Sequence, residues 1–86
     1  MITSEDINKV YQVEEDVKKL IKNIEETKKK LSKIGDELSK KGEPYFGAKA
    51  ELISGDFIGL ETKADKIRWE LVKLQEKMAS KLKEVL

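Results

Sequence analysis

The chain has 86 residues, 41% of them charged, with 18 Lys and Arg against 17 Asp and Glu for a net charge of +1. That length is one domain, and so even a balance gives no charge excess to draw nucleic acid or an anionic membrane. The absence of cysteine excludes disulfides and thiolate metal sites.

The N-terminal stretch Met1-Ile2-Thr3-Ser4-Glu5-Asp6 has neither the basic region nor the apolar core of a signal peptide. No apolar run approaches the ~20 residues that span a bilayer. The expectation is a chain that is made in the cytoplasm and either stays there or is exported without a cleavable signal peptide. Thr3 is placed to cap a helix by accepting from the backbone N–H of Asp6. Ile2 and Ile7 then fall at the positions of a hydrophobic staple, and Glu5 and Asp6 suit the positive end of the helix dipole. From there Val10, Val13, Val17, Leu20, Ile24, Thr27, Leu31, Ile34 and Leu38 alternate three- and four-residue steps, the spacing that keeps one seam of a helix against a partner. Acid precedes base by four residues in Glu14–Lys18, Glu15–Lys19, Glu25–Lys29, Glu26–Lys30, Asp36–Lys40 and Glu37–Lys41, the favourable orientation on an exposed face. Lys28-Lys29-Lys30 accordingly reads as a solvated face with acidic neighbours. A helix over 4–41 follows.

Gly42 suits a helix terminator and Pro44 a first helical residue, which puts a tip at 42–44. Beyond it Phe46, Ala50, Ile53, Phe57, Leu60, Ala64, Ile67, Leu71, Leu74 and Met78 resume the same stepping, predicting a second helix over 45–85. Gly47, Gly55 and Gly59 lie inside it, each costing about 1 kcal/mol relative to Ala. A break at Ser54-Gly55-Asp56 is the alternative. The apolar register passes through Ile53, Phe57 and Leu60 without a slip, so one helix, bent near 54–56 at most, is the better reading. The fold class is all-α: an antiparallel two-helix hairpin.

The inventory argues against catalysis. Without His or Cys the commonest general base and the sulfur nucleophile are missing. The serines fall at caps or polar faces, and the carboxylates are mostly matched to lysines. Glu14-Glu15-Asp16 lacks the alternating ligands and glycine of a calcium loop. No cofactor and no metal are expected, which leaves binding and assembly.

A helix of about 40 residues, a tight break, an aromatic-x-Gly tripeptide at the start of a similar second helix, and no signal peptide resemble the WXG family. These are the small hairpins of early-secreted-antigen type exported by type VII secretion systems. Tyr45-Phe46-Gly47 stands where that family has its Trp-x-Gly turn, with Tyr in place of Trp. No Tyr-x-x-x-acid export spacing follows the second helix, which would suit a member that travels with a larger partner carrying the signal. The resemblance implies pairing into a four-helix bundle, as a homodimer, as a heterodimer with another hairpin, or with the helical N-terminal domain of a larger effector. It also implies secretion without a cleavable leader. The rival reading is an intracellular structural or adaptor coiled coil, such as a phage or chaperone component, for which the seam alone suffices.

Some apolar residues fall outside the two stripes. Ile7 and Ile21 on the first helix suggest a second contact face. On the second helix Leu52, Ile58 and Val72 lie off the seam with Trp69, the only tryptophan. Gly55 and Gly59, four apart, strip bulk from the same surface. Tryptophan is enriched at the centres of interfaces, so Trp69 is expected to anchor a partner there.

Overall fold

The computed structural model describes residues 1–85 and contains two helices, α1 (Ser4–Lys40) and α2 (Pro44–Val85), packed as an antiparallel hairpin. Its extents are 68 × 16 × 12 Å. The radius of gyration, 19.6 Å, far exceeds the ~12 Å of a compact chain of this length, so the molecule is a rod two helices wide.

The helix ends follow their capping chemistry. Thr3 Oγ1 accepts from the Asp6 backbone N–H at 3.2 Å, and an Asp6 carboxylate oxygen accepts from the Thr3 N–H at 2.9 Å, closing a capping box. The bond from the Thr3 N–H, and after it one from the Thr3 hydroxyl at 3.1 Å, holds the Asp6 carboxyl below its usual range. At the other end α1 stops one residue short of the expected 41. Gly42 takes φ 85°, a left-handed conformation suited to glycine. The Glu43 N–H then donates to the Leu38 carbonyl at 2.9 Å and the Gly42 N–H to Ser39 at 3.2 Å, which is a Schellman closure. The Glu43 carbonyl accepts from the Gly47 N–H at 3.0 Å, so α2 starts directly at Pro44, one residue before the expected 45. It runs on through Ser54-Gly55-Asp56 without a break.

The residues between the helices are not the ones the apolar stripes predict. Val10, Val17, Ile24, Leu31 and Leu38 on α1, and Ala50, Phe57, Ala64, Leu71 and Met78 on α2, are buried or half-buried as expected. The other half of each stripe is displaced by one residue. Glu14, Ile21, Lys28 and Gly35 take the inward places expected of Val13, Leu20, Thr27 and Ile34. Gly47, Ser54, Glu61, Arg68 and Gln75 take those expected of Phe46, Ile53, Leu60, Ile67 and Leu74. Ile7 and Ile21 are thus half-buried members of the inter-helix seam, and the expectation that they lie off it is corrected.

The cause is close approach near the tip. A Cβ on Gly47 would lie 2.7 Å from the Gly35 carbonyl oxygen and would also run into Ser39 Oγ, while a Cβ on Gly35 would lie 3.0 Å from the Gly47 carbonyl. The backbones are in contact there, and only small α2 residues (Gly47, Ala50, Ser54) fit between them. Tyr45, Phe46 and Gly47, the tripeptide set beside the family's Trp-x-Gly turn, lie in the first turn of α2, at the start of the second helix as expected. The glycine of that tripeptide is a packing residue.

Gly55 and Gly59 have nothing within 4 Å of where a Cβ would sit. Gly47→Ala should destabilise the hairpin by about 1–3 kcal/mol, since overpacking against backbone outweighs alanine's better helix propensity. Gly55→Ala should stabilise the helix by about 1 kcal/mol. Chemical denaturation of the two variants checks both signs, and a stabilised Gly47→Ala would contradict the close approach.

Candidate protein–protein interface

The one-residue displacement sorts the molecule into two sides. On a helix a residue four positions on lies about 40° to one side of its starting position, and a residue three positions on about 60° to the other. Both helices turn the four-step row inward. Because they run antiparallel, both three-step rows emerge on the same side of the rod.

That side carries Val13, Leu20, Thr27 and Ile34 from α1 beside Phe46, Ile53, Leu60, Ile67 and Leu74 from α2. The eight large apolar members are between 45% and 57% exposed. None of the nine is charged, and the one hydroxyl, Thr27 Oγ1, is satisfied within its helix by the Asn23 carbonyl at 2.8 Å. The half-buried residues shared by both patterns form the floor between the rows, and Ile53, Phe57 and Leu60 enclose an apolar depression with Asp56 at its edge. Outside the rows run two exposed rims, Lys9, Asp16, Asn23, Lys30 and Glu37 on α1 and Lys49, Asp56, Lys63, Glu70 and Lys77 on α2. Both rims mix signs. Such a face is what one half of a four-helix bundle turns toward the other half. It is also far larger than the scattered apolar exposure ordinary on a monomer.

The opposite side is polar and internally tied. Glu14, only 6% exposed, accepts from Gln75 Nε2 at 2.7 Å and pairs with Lys18 at 3.3 Å. Lys28 reaches Glu61 across the helices at 2.8 Å, Ser54 Oγ donates to the Lys28 carbonyl at 3.1 Å, and Ser32 Oγ donates to the Glu51 carboxylate at 3.1 Å. The Gln75 hydrogen bond, and after it Lys18, holds the Glu14 carboxyl below its ordinary value of 4.5 despite burial. Of the six intrahelical pairs expected on α1, Glu14–Lys18 and Glu25–Lys29 form, at 3.3 and 3.7 Å, and Lys18 also reaches Glu15 at 3.0 Å.

The second-helix residues expected to meet a partner sit on a third surface, the outer strip of α2 beyond the polar seam. Leu52, Ile58 and Trp69 are 67%, 59% and 51% exposed, Val72 is half-buried, and Gly55 and Gly59 are open. The strip is interrupted. Thr62, its hydroxyl turned to the Ile58 carbonyl, and Asp65 separate Ile58 from Trp69. The Arg68 guanidinium, paired with Asp65 at 3.3 Å, lies 4.4 Å from the Trp69 ring centroid. At the tip Tyr45 and Phe46 meet edge to face at 5.4 Å, and Lys49 lies over the Tyr45 ring.

No family model matches the chain, and no curated protein and no solved structure matches it at a significant level. Among the described residues no group of three or more acidic, His or Cys side chains is placed to hold a metal ion, and no helix is long and apolar enough to cross a membrane.

Glu14 gives the polar seam a pH dependence. Its folded value lies below the unfolded one, so its contribution is complete above the ordinary carboxylate range and is lost as pH falls through the lowered value. Thermal unfolding followed from pH 7 into acid should show a steeper loss for the native chain than for Glu14→Gln, whose amide cannot titrate. Identical acid limbs would remove Glu14 from the account.

Proposed function

We propose that this chain is a non-enzymatic protein–protein interaction module that completes its core by pairing its apolar face with another helical hairpin. The carrying observation is the two rows of half-exposed large apolar side chains that share one side of the rod, with the polar groups of the seam tied down on the other. Among the described residues only Ile24, Ala50 and Ala64 are well-buried apolar residues, and no large side chain is fully buried. That is a small core for ordering about 1.5 kcal/mol of conformational entropy per residue.

The partner class follows the resemblance of Tyr45-Phe46-Gly47 and the two long arms to the WXG family: a type VII secretion substrate, or the small helical companion of a larger secreted effector. Detection of the protein in culture supernatant would test it. Retention in the cell together with a second cytoplasmic chain would instead point to the structural or adaptor coiled coil.

The exposed Trp69 favours one further surface. If the outer strip of α2 meets a partner, Trp69→Ala should weaken association by about 2 kcal/mol or more, and Gly55→Ala should weaken it too. If the apolar face does, Leu60→Glu should have the larger effect. The reading as a whole is tested by circular dichroism melting at 1 and 100 μM. The expected result is an unfolding temperature that climbs with concentration, or a poorly helical chain at both. A fully helical monomer with a fixed unfolding temperature would defeat it.

A further inference from the structure

We infer that the occupant of the apolar face is a second copy of this chain, an inference that rests on the pairing reading above and names its partner. Three observations carry it. The first is area. The chain exposes 6680 Å², about 1,500 Å² more than the roughly 5,200 Å² of a compact monomer of 9.9 kDa. A standard interface takes about 800 Å² from each partner, and an obligate homodimer more. The surplus therefore falls in the range that permanent self-association removes.

The second observation is shape and chemistry. The face is an uncharged strip two helices wide that spans roughly 30 Å on α1 (Val13 to Ile34) and roughly 40 Å on α2 (Phe46 to Leu74) at about 1.5 Å per residue. Its complement must be another uncharged, two-helix strip of equal length. A two-fold dimer pairs one patch with itself, and this chain carries such a strip. The size of the row residues suits self-pairing as well. Val13, Leu20 and Ile34 face outward on one helix, and Ile53, Leu60 and Leu74 on the other. The depression that Ile53, Phe57 and Leu60 enclose is apolar, a match in chemistry for the aliphatic side chains that the same strip presents on a second copy.

The third is charge. Helices that select a different chain carry rims of one sign, so that a copy of themselves is repelled. Here each rim changes sign along its length, as in Lys9, Asp16 and Lys30 on α1 or Lys49, Asp56 and Lys63 on α2. With a net charge of +1, two copies meet without a like-charged block to oppose them.

The test uses the full chain. Sedimentation equilibrium from 1 to 100 μM should give twice the 9.9 kDa mass. A chain bearing one spin label, at Lys41 beside the tip, should show a dipolar distance between copies. A short distance means tips at the same end and one near a helix length means tips at opposite ends, and either supports the inference. Leu60→Glu, about half exposed in the lone hairpin, should raise the dimer dissociation constant at least 100-fold. Lys33→Glu, on the outer side of α1, should change it less than threefold. Because Leu60→Glu could also unfold a marginal chain, the mass and label readings on the native sequence decide the matter. A monomer of low helicity at 100 μM with no inter-copy distance would overturn the second copy while leaving a different hairpin as the partner. A fully helical monomer would overturn both.

Discussion

The backbone contact between Gly35 and Gly47 is the constraint on which the rest of the arrangement depends. At the closed end of the hairpin the helices approach until a carbonyl oxygen of each lies only 2.7 to 3.0 Å from where a Cβ on the other would be. Nothing larger than Gly, Ala or Ser fits on the inner face of α2 in its first three turns, so Gly47, Ala50 and Ser54 face inward and Phe46 and Ile53 are turned aside. A helix is stiff over this length, so the choice made at the tip propagates. Counting by sevens from Gly47 brings Glu61 near, and Arg68 and Gln75 after it, to the seam, while Leu60, Ile67 and Leu74 are carried out to the side.

The polar residues brought inward are not wasted there. A buried carboxylate without partners would be strongly unfavourable, and Glu14 has two, one on each helix. Lys28 is met by Glu61, and Ser54 by a backbone carbonyl. Buried ion pairs contribute little net stability compared with well-packed apolar residues. Their directional geometry does distinguish one register from another: sliding α2 by a heptad would leave Glu14 facing Arg68 or Leu82 in place of Gln75. The polar seam thus specifies alignment, while apolar burial is shared between the hairpin's floor and whatever covers the exposed rows.

This division explains what was legible in the sequence. Thr3, Gly42 and Pro44 mark helix ends to within one residue, because capping chemistry is local and each of those residues has few other uses. The unbroken α2 follows from a periodicity that no loop would preserve. The inward register was not legible from hydrophobicity, since an apolar stripe two rows wide shows that both rows are to be covered and leaves open which is covered by the chain's own second helix. A different signal was present. Gly47 and Ser54 stand seven apart beside the apolar series of α2, with Gly35 beside that of α1, and small residues at such spacing mark close helix approach. Ile7 and Ile21 stand at multiples of seven from Gly35, which is why they pack within the hairpin and form no separate face.

At Trp69 residue type and position point in different directions. Its residue type favours an interface, yet it lies on neither the apolar face nor the seam, and the Arg68 guanidinium already covers its ring. A stacked arginine is held there in turn by Asp65, so the indole is accommodated without a partner, at a separation within the ~6 Å over which such stacking is favourable. Leu60 and its neighbours have no such cover. Among the described residues nothing reaches across them, and the charged rims lie outside the rows with their own mixed signs. The stronger claim to a partner therefore belongs to the less conspicuous residues, because the aromatic has been satisfied locally and the aliphatic rows have not.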